Sequence, residues 1–285
     1  MLPQVSVIIT TYNRAAMVAE AVESVLDQKM TDFELIVVDD GSTDETEKRL
    51  SIFGYRLKYY QQENAGVSAA RNRGLEFSTA PPVAFLDSDD LWLPAKLRVQ
   101  HEYMRANPEV HICQSEEIWW RNGQRVNPKK HHRKPSGDIF RRSLDLCLVS
   151  PSAVMMRREL FERVGYFDEE LPAAEDYDLW LRVSVKYPVP LLSHPLVIKR
   201  GGHLDQLSAR SGIDRYRIKA LEKLLKSGRL STEQYRWAWS VLRRKCEIYG
   251  QGCLKRGRVE EGERYLALPK KYTNEANSQN PVARG

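Results

Sequence analysis

The strongest constraint on the fold of this chain is the run Val83-Ala84-Phe85-Leu86-Asp87-Ser88-Asp89-Asp90. Four apolar residues, a pattern suited to a strand buried on both faces, lead directly into three carboxylates within four positions. Like charges held this close raise one another's pKa or require a cation. Hard oxygen ligands at a strand end select a divalent ion such as Mg²⁺ or Mn²⁺. An ordinary acidic loop capping a helix that begins near Pro94 would use the same residues, so the choice rests on what else falls beside them.

The residues upstream place other polar groups in equivalent positions. Val5 to Thr10 reads as a first strand, followed by Ala16, Val18, Ala21, Val22, Val25 and Leu26 at helical spacing. Phe33-Glu34-Leu35-Ile36-Val37-Val38-Asp39-Asp40 reads as a second strand ending in two carboxylates. Gly41 supplies the turn, and Ser42-Thr43-Asp44-Glu45 is a capping box for the next helix. A third strand near Leu57 to Tyr60 leads through Asn64-Ala65-Gly66 into a helix carrying Arg71 and Arg73 near its start. Alternation at this spacing predicts right-handed βαβ units and a mostly parallel sheet, in which ligands bind beyond the carboxyl ends of the strands. Thr11 to Asn13, Asp39 and Asp40, Gly66 to Arg71, and Asp87 to Asp89 all fall at that one edge.

Length and composition fit an α/β protein with an appendage. At 285 residues and 42% hydrophobic content, the chain can fill a sizeable core. Its longest apolar runs, such as Val5 to Ile9, fall far short of the roughly 20 residues that span a bilayer. No basic residue precedes Val5 and a polar loop follows Ile9, so no signal peptide is expected and the cytoplasm is the expected location. Cys113, Cys147, Cys246 and Cys253 form no CxxC and have no closely paired His, which argues against a zinc site or a disulfide framework. Residues 1–213 carry 27 Lys and Arg against 30 Asp and Glu, whereas 214–285 carry 17 against 8. A basic tail of that kind suits peripheral contact with acidic lipid headgroups; a solvated helix face accounts for it equally. Nucleic acid is not an expected partner.

Four ordered stretches together resemble the nucleotide-binding half of family 2 glycosyltransferases of the GT-A fold. They are Thr11-Tyr12-Asn13, Val37-Val38-Asp39-Asp40-Gly41-Ser42-Thr43-Asp44, Asn64-Ala65-Gly66-Val67-Ser68-Ala69-Ala70-Arg71-Asn72 and Phe85-Leu86-Asp87-Ser88-Asp89-Asp90. Members often have Pro where Thr10 stands. The resemblance implies a donor site in which Asp39 accepts the uracil N–H and Thr11 and Tyr12 line the base pocket. Gly66, Arg71, Asp87 and Ser88 contact the nucleotide, and Asp89 binds the Mn²⁺ or Mg²⁺ that bridges the phosphates. A carboxylate accepting from an imide favours UDP-sugars, with dTDP-sugars second.

Pro172-Ala173-Ala174-Glu175-Asp176-Tyr177-Asp178-Leu179-Trp180-Leu181-Arg182 opens a helix with three carboxylates at its positive end, more than capping requires. Its placement after Gly165-Tyr166-Phe167-Asp168-Glu169 resembles the acceptor-side Glu-Asp motif of the same family. Asp176 would then be the general base, with Glu175 and Asp178 orienting the acceptor. By the same resemblance His203 contacts diphosphate or metal from a mobile loop. Of Trp119 and Trp120, one is expected in the core. Pro128 to Pro135 reads as a mobile basic loop, either solvated or a lid over an anionic acceptor.

The expected organisation is a GT-A domain over 1–212, with a nucleotide-binding half (1–107) and an acceptor half (108–212). A helical appendage follows over 213–268, then a disordered tail over 269–285. The implied activity is inverting, metal-dependent transfer of one sugar from a UDP-sugar to a hydroxyl acceptor. That acceptor is a saccharide or lipid-linked saccharide of cell-surface polysaccharide or glycolipid assembly. Two other enzyme classes fit poorly: haloacid-dehalogenase chemistry wants an Asp where Thr10-Thr11 stands, and nucleotidyltransferases want a Gly-rich loop after the first strand. A non-catalytic nucleotide-sugar-binding scaffold of the same fold would share the pocket and differ only in the role of Asp176.

Overall fold

The computed structural model describes residues 3–202 and 212–273. In chain order the elements begin β1 (Val5–Thr11), α1 (Ala15–Leu26), β2 (Phe33–Asp39), α2 (Thr46–Ser51), β3 (Lys58–Gln61), α3 (Val67–Phe77) and β4 (Pro82–Asp87). They continue with β5 (Leu91–Trp92), α4 (Lys96–Ala106), β6 (Ile112–Arg121), β7 (Gln124–Val126), α5 (Phe140–Ser143), β8 (Val154–Arg157), α6 (Glu159–Val164), α7 (Glu175–Ser184) and β9 (Leu191–Gly201). Three helices close the described chain: α8 (Ile213–Lys226), α9 (Thr232–Leu254) and α10 (Val259–Ala267).

Among the described residues, one sheet of nine strands runs in the order β3-β2-β1-β4-β8-β6-β9-β5, with β7 paired to β6. The parallel expectation describes β1 to β4. Beyond β4 the sheet is mixed, with β8 antiparallel to both β4 and β6, and β5 antiparallel to β9. Parallel pairing needs a long crossover. After Asp87 the chain instead turns at once into the two-residue β5. Ile112–Arg121 form a single long strand, β6.

β1 is buried along its whole length because both of its faces are covered. Val5, Val7 and Ile9 meet Val18, Ala21, Val22 and Val25 of α1, while Ile8 on the other face joins Leu75 and Phe85. A Cβ at Gly74 would lie 2.4 Å from Ile8 Cγ2, so α3 sits against β1 only because residue 74 has no side chain. The predicted capping box at Ser42 does not form. Asp44 does the capping instead, accepting from Thr46 N at 3.1 Å and Ala15 N at 3.1 Å, while Ser42 Oγ accepts from Asn13 N. The loops after β1 and β2 are thereby tied together in preference to a local cap.

The apolar stripes of the C-terminal helices pack inward as their spacing predicts. Ile218, Leu221, Leu224 and Leu225 of α8 and Tyr235, Ala238, Leu242 and Cys246 of α9 share one cluster with Phe140, Leu144, Tyr177 and Leu181. Gln234 closes a capping box with Ser231 at the start of α9. Tyr249 to Leu254 continue α9. α10 approaches α9 closely through glycine: a Cβ at Gly250 would meet Gly262 O at 2.9 Å. The tail expected to be disordered from 269 is ordered through Tyr272, where a 3₁₀ turn (Leu268–Tyr272) buries Pro269 and Tyr272. The Tyr272 hydroxyl donates to Glu222 at 2.9 Å, so two residues in an otherwise polar stretch suffice to dock it. Residues 274–285 of that tail lie outside the described residues.

At the strand ends opposite the carboxylate-rich edge, Glu34 gathers Ser6 Oγ (2.6 Å), Thr79 N (2.6 Å), Thr79 Oγ1 (2.7 Å) and Lys58 Nζ (2.7 Å). Burial would raise its pKa, but the hydrogen bonds from Lys58, Ser6 and Thr79 outweigh that and lower it from 4.5 to about 2. The stability this gives is fully present above pH 4.5 and lost as pH falls through about 2. We expect Glu34→Gln, which removes the charge and keeps the shape, to be less stable than the wild type at pH 7. The difference should shrink on acidification through that window in denaturant titrations at stepped pH; a pH-independent difference would contradict the assignment.

Candidate active site

The carboxyl ends of β1, β2 and β4, the start of α3, the start of α7 and the end of β9 surround one cavity of about 1090 Å³. Strand register brings the expected edge together: Thr11 pairs with Asp39 across β1 and β2, and Thr10 with Asp87 across β1 and β4. Thr11, Tyr12, Gly66, Arg71, Asp87, Ser88, Asp89, Glu175 and Asp176 all line the cavity. Asp39 and Asp178 do not.

Asp39 is corrected first. Its carboxylate is fully buried and accepts from Ser42 N and the Tyr59 hydroxyl, both at 2.8 Å. Successive residues of an extended strand point to opposite faces, so its neighbour Asp40 takes the cavity side. Asp40 accepts from Gln62 Nε2 (2.7 Å), Gly66 N (2.8 Å) and Ala65 N (2.9 Å), folding the loop before α3 against the end of β2. Gly66 has φ +93°, a backbone conformation glycine adopts freely. Beside it Thr11 Oγ1 is buried without a partner among the described residues, whereas Tyr12 stands half exposed at the rim. Asn13, with φ 51°, accepts from Thr43 N at 2.8 Å through its Oδ1 and fixes the turn after β1.

Among the described residues Asp87, Asp89 and Asp90 place ligand oxygens within 4.8 Å of one another. Asp90 is buried and accepts from Ser152 Oγ (2.6 Å) and Arg200 N (2.9 Å). Burial pushes its carboxyl upward, opposed by Lys199 and reinforced by Asp89 and Asp87. Lys199 shows the complement: burial would lower it, yet Asp90, Glu117, Asp87 and Asp89 hold it above its ordinary value. Asp89 also pairs with Arg14 at 2.8 Å. The donor set is all hard oxygen and suits Mg²⁺ or Mn²⁺. Both Asp90 oxygens are already engaged by protein donors, so Asp87 and Asp89 fit best as ligands.

Arg71 is buried between Asp87 (2.8 Å) and Glu175 (2.6 Å), with Phe167 beneath its guanidinium at 5.1 Å. It reaches the cavity wall as the centre of an ion triad, and Glu175 is occupied by that triad. Burial and Asp176 push Glu175 up, and Arg71 pulls it down. Ala174 takes φ 62°, a strained value for a residue with a side chain, and turns the chain so that Glu175 points inward and Asp176 reaches the cavity. Asp176 is half-buried; the Cys147 thiol donates to its Oδ2 at 3.3 Å. Asp178 is corrected from an acceptor-side role to a structural one. Two residues after Asp176, and so on the far face of α7, it is buried against Arg182 (2.8 Å) and Lys223 (3.0 Å) of α8. His203 lies outside the described residues.

Neither tryptophan is core. β6 extends past the sheet as a ribbon with β7 and β9, leaving Trp119 on the cavity wall and Trp120 exposed. The basic loop is anchored: Lys134 closes a buried pair with Glu117 at 2.9 Å and His132 packs against Trp119. Sequence reasoning missed Arg14, Cys147, Lys199 and Arg217, all cavity residues, and placed Asp40 at the right edge without giving it a role. Asp40 was legible in the paired Asp39-Asp40, whereas Lys199 and Arg217 come from distant elements with no local motif.

A mixed sheet flanked by helices, with an acidic cluster of the DxD kind at the end of β4, defines the GT-A glycosyltransferase fold. Residues 6–165 match the family model described as Glycosyl transferase family 2. The chain belongs to glycosyltransferase family 2. It is 35% identical over 185 residues to an uncharacterized glycosyltransferase of Rickettsia felis, covering 64% of this chain and 30% of that protein. It is 33% identical over 184 residues to the Escherichia coli UDP-Glc:alpha-D-GlcNAc-diphosphoundecaprenol beta-1,3-glucosyltransferase WfgD, covering 63% of this chain and 69% of that protein. The chain thus spans under a third of the length of the Rickettsia felis relative. Among solved structures, S. aureus TarS 1-349 in complex with UDP-GlcNAc superposes with a TM-score of 0.73 at 21% identity, covering 93% of this chain and 79% of that one. A Pyrobaculum calidifontis mannosyltransferase in complex with GDP-Man and Mn²⁺ gives 0.56 at 20% identity, covering 98% and 84%.

Removing the centre of the ion triad while leaving its carboxylates buried is costly. Arg71→Met should destabilise the fold by about 3–5 kcal/mol, measured by chemical denaturation. A loss under about 1 kcal/mol, the value of a surface pair, would mean that the triad does not bind the two halves of the site together.

Proposed function

We propose that this chain is an inverting, metal-dependent glycosyltransferase that moves a single sugar from a UDP-sugar to a hydroxyl acceptor. The observation that carries the reading is that Asp87 and Asp89 share one cavity with Asp176, and that Arg71 joins Asp87 to the Asp176 helix through Glu175. Inversion needs a base on the face of the sugar opposite the departing diphosphate, and a transition state of oxocarbenium character. Asp176 takes the acceptor proton; Cys147 and the Tyr177 amide, which donates at 2.7 Å, hold its carboxylate in place. Thr11 and Tyr12 form the base subsite, with Asp40 in the position expected of Asp39. A divalent ion held by Asp87 and Asp89 would supply positive charge to the diphosphate leaving group. Arg14 pairs with Asp89, and the buried Lys199 ammonium lies near Asp90, Asp87 and Asp89, so positive groups stand beside the candidate ligands before the donor arrives.

UDP-sugars, ahead of dTDP-sugars, are supported by the names of WfgD and the TarS complex. The WfgD name also supports a lipid-linked saccharide as acceptor. Among the described residues no helix is long and apolar enough to cross a membrane. The basic C-terminal helices suit peripheral contact with an anionic cytoplasmic leaflet, where an acceptor for surface polysaccharide or glycolipid would be met.

Thermal unfolding with UDP, with and without Mn²⁺, tests the donor site. At a ligand concentration 100 times Kd, the fold should gain about 2.7 kcal/mol, and Asp89→Ala should lose the metal-dependent part. Asp176→Asn should retain UDP binding while transfer falls by about 10²–10⁴. Full activity in Asp176→Asn would remove it as base. UDP binding without transfer to any saccharide acceptor would favour the scaffold reading.

A further inference from the structure

The cavity, at about 1090 Å³, exceeds the roughly 300–1,000 Å³ typical of a single small-ligand site. The ends of β1, β2 and β4 bring Asp40, Asp87, Asp89 and Asp90 to its wall, with Arg14, Arg71 and Lys199 set among them. β6, the loop 128–135 and α8 add Arg121, Arg133 and Arg217, beside Glu116 and Glu117 of β6. Lys134 of the same loop is committed to Glu117. Arg121 and Arg133 are exposed at the cavity wall, and neither is paired with a carboxylate among the described residues. Arg217 reaches Asp214 at 3.2 Å, yet its Nε is buried without a partner among the described residues. Its charge acts on Cys147 and Tyr177, the first of which touches Asp176 and the second of which follows it in α7. A buried guanidinium N–H with no acceptor is costly. Planar forks from three separate elements facing one space match a tetrahedral oxyanion, which accepts several such bonds at once. Trp119 stands on the same wall, packed against His132 at 5.5 Å between ring centres.

The geometry points to an anion subsite for the acceptor: Arg121, Arg133 and Arg217 receive a phosphate group carried by the acceptor saccharide, and Trp119 offers a flat face for the sugar ring. The inference rests on the glycosyl-transfer reading above and names its acceptor class. It also gives the C-terminal helices a place in the site, since Arg217 is theirs. The donor's own phosphates are the other source of the same chemistry, and the test separates the two.

Calorimetric titration of glucose 1-phosphate, with glucose as the uncharged control, into protein saturated with UDP and Mn²⁺ reads the subsite directly. Glucose 1-phosphate should bind in the presence of UDP and glucose much more weakly. Arg217→Gln and Arg133→Gln should each weaken glucose 1-phosphate about tenfold, the loss of a charge-assisted hydrogen bond, with UDP affinity changed less than about twofold on the same basis. Arg217→Lys should recover part of the loss. Arg133 lies on an exposed loop, so its variant tests the subsite even where Arg217→Gln fails to fold. Binding of glucose 1-phosphate only when UDP is omitted would assign the arginines to the donor and overturn the proposal. Unchanged binding in the triple variant R121Q/R133Q/R217Q would overturn it too. Failure of UDP to bind the wild type would instead overturn the proposed function, and the arginine variants would then decide the anion subsite by themselves.

Discussion

The site depends on one buried cation. Arg71 leaves α3, passes over Phe167 and ends between Asp87 at the end of β4 and Glu175 at the start of α7. A guanidinium taken out of water is tolerable only when its charge and donors are met, and here the two carboxylates that meet it belong to opposite halves of the cavity. Asn72, the next residue, repeats the link with neutral groups: its side chain exchanges hydrogen bonds with the Phe167 backbone at 2.9 and 3.0 Å. The first turns of α3 therefore fix where the acidic end of β4 stands relative to Asp176.

Around this centre the protein keeps an unfavourable concentration of charge in order. Asp89 has Arg14, Asp90 has Lys199 nearby and Glu117 has Lys134, each partner coming from a different part of the chain. Two non-glycine residues in left-handed backbone, Asn13 and Ala174, flank the cavity on opposite sides. Such strain persists where the surroundings over-determine it. Asn13 is held by the Ser42 and Thr43 contacts, and Ala174 by the apolar cluster around Tyr177. The other end of the sheet is organised differently: Glu34 ties β1, β2, β3 and the approach to β4 through hydrogen bonds from Ser6, Thr79 and the half-exposed Lys58.

Much of this was legible in the sequence because it is local. The alternation of strand and helix through Asp87, the edge where Thr11, Gly66 and Asp87 gather, and the start of α7 at Glu175 follow from periodicity and from charge at strand ends. The misreadings share a physical cause, namely that side-chain direction at the end of an element depends on the next turn. Asp39 and Asp40 are equivalent as letters, yet strand alternation sends one to Tyr59 and the other to the cavity. Asp178 lies in the same acidic run as Asp176, but two residues of helix turn it to the opposite face, against Arg182 and Lys223. One of Trp119 and Trp120 was expected in the core, but β6 carries both beyond the buried part of the sheet. Lys199 and Arg217 were invisible for the converse reason: their partners are fixed by tertiary contacts with no trace in local spacing.

The shared core between α7 and the C-terminal helices alters what counts as a minimal unit. Tyr177 and Leu181 are covered on one side by Ile218, Leu221, Leu242 and Cys246. A chain ending at 212 would present that apolar face to water beside the strained turn at Ala174, whose geometry the face helps to hold. The helices after 212 thus act as a buttress for the candidate base, and a graft of the sheet and its acidic edge onto another protein would have to carry them along.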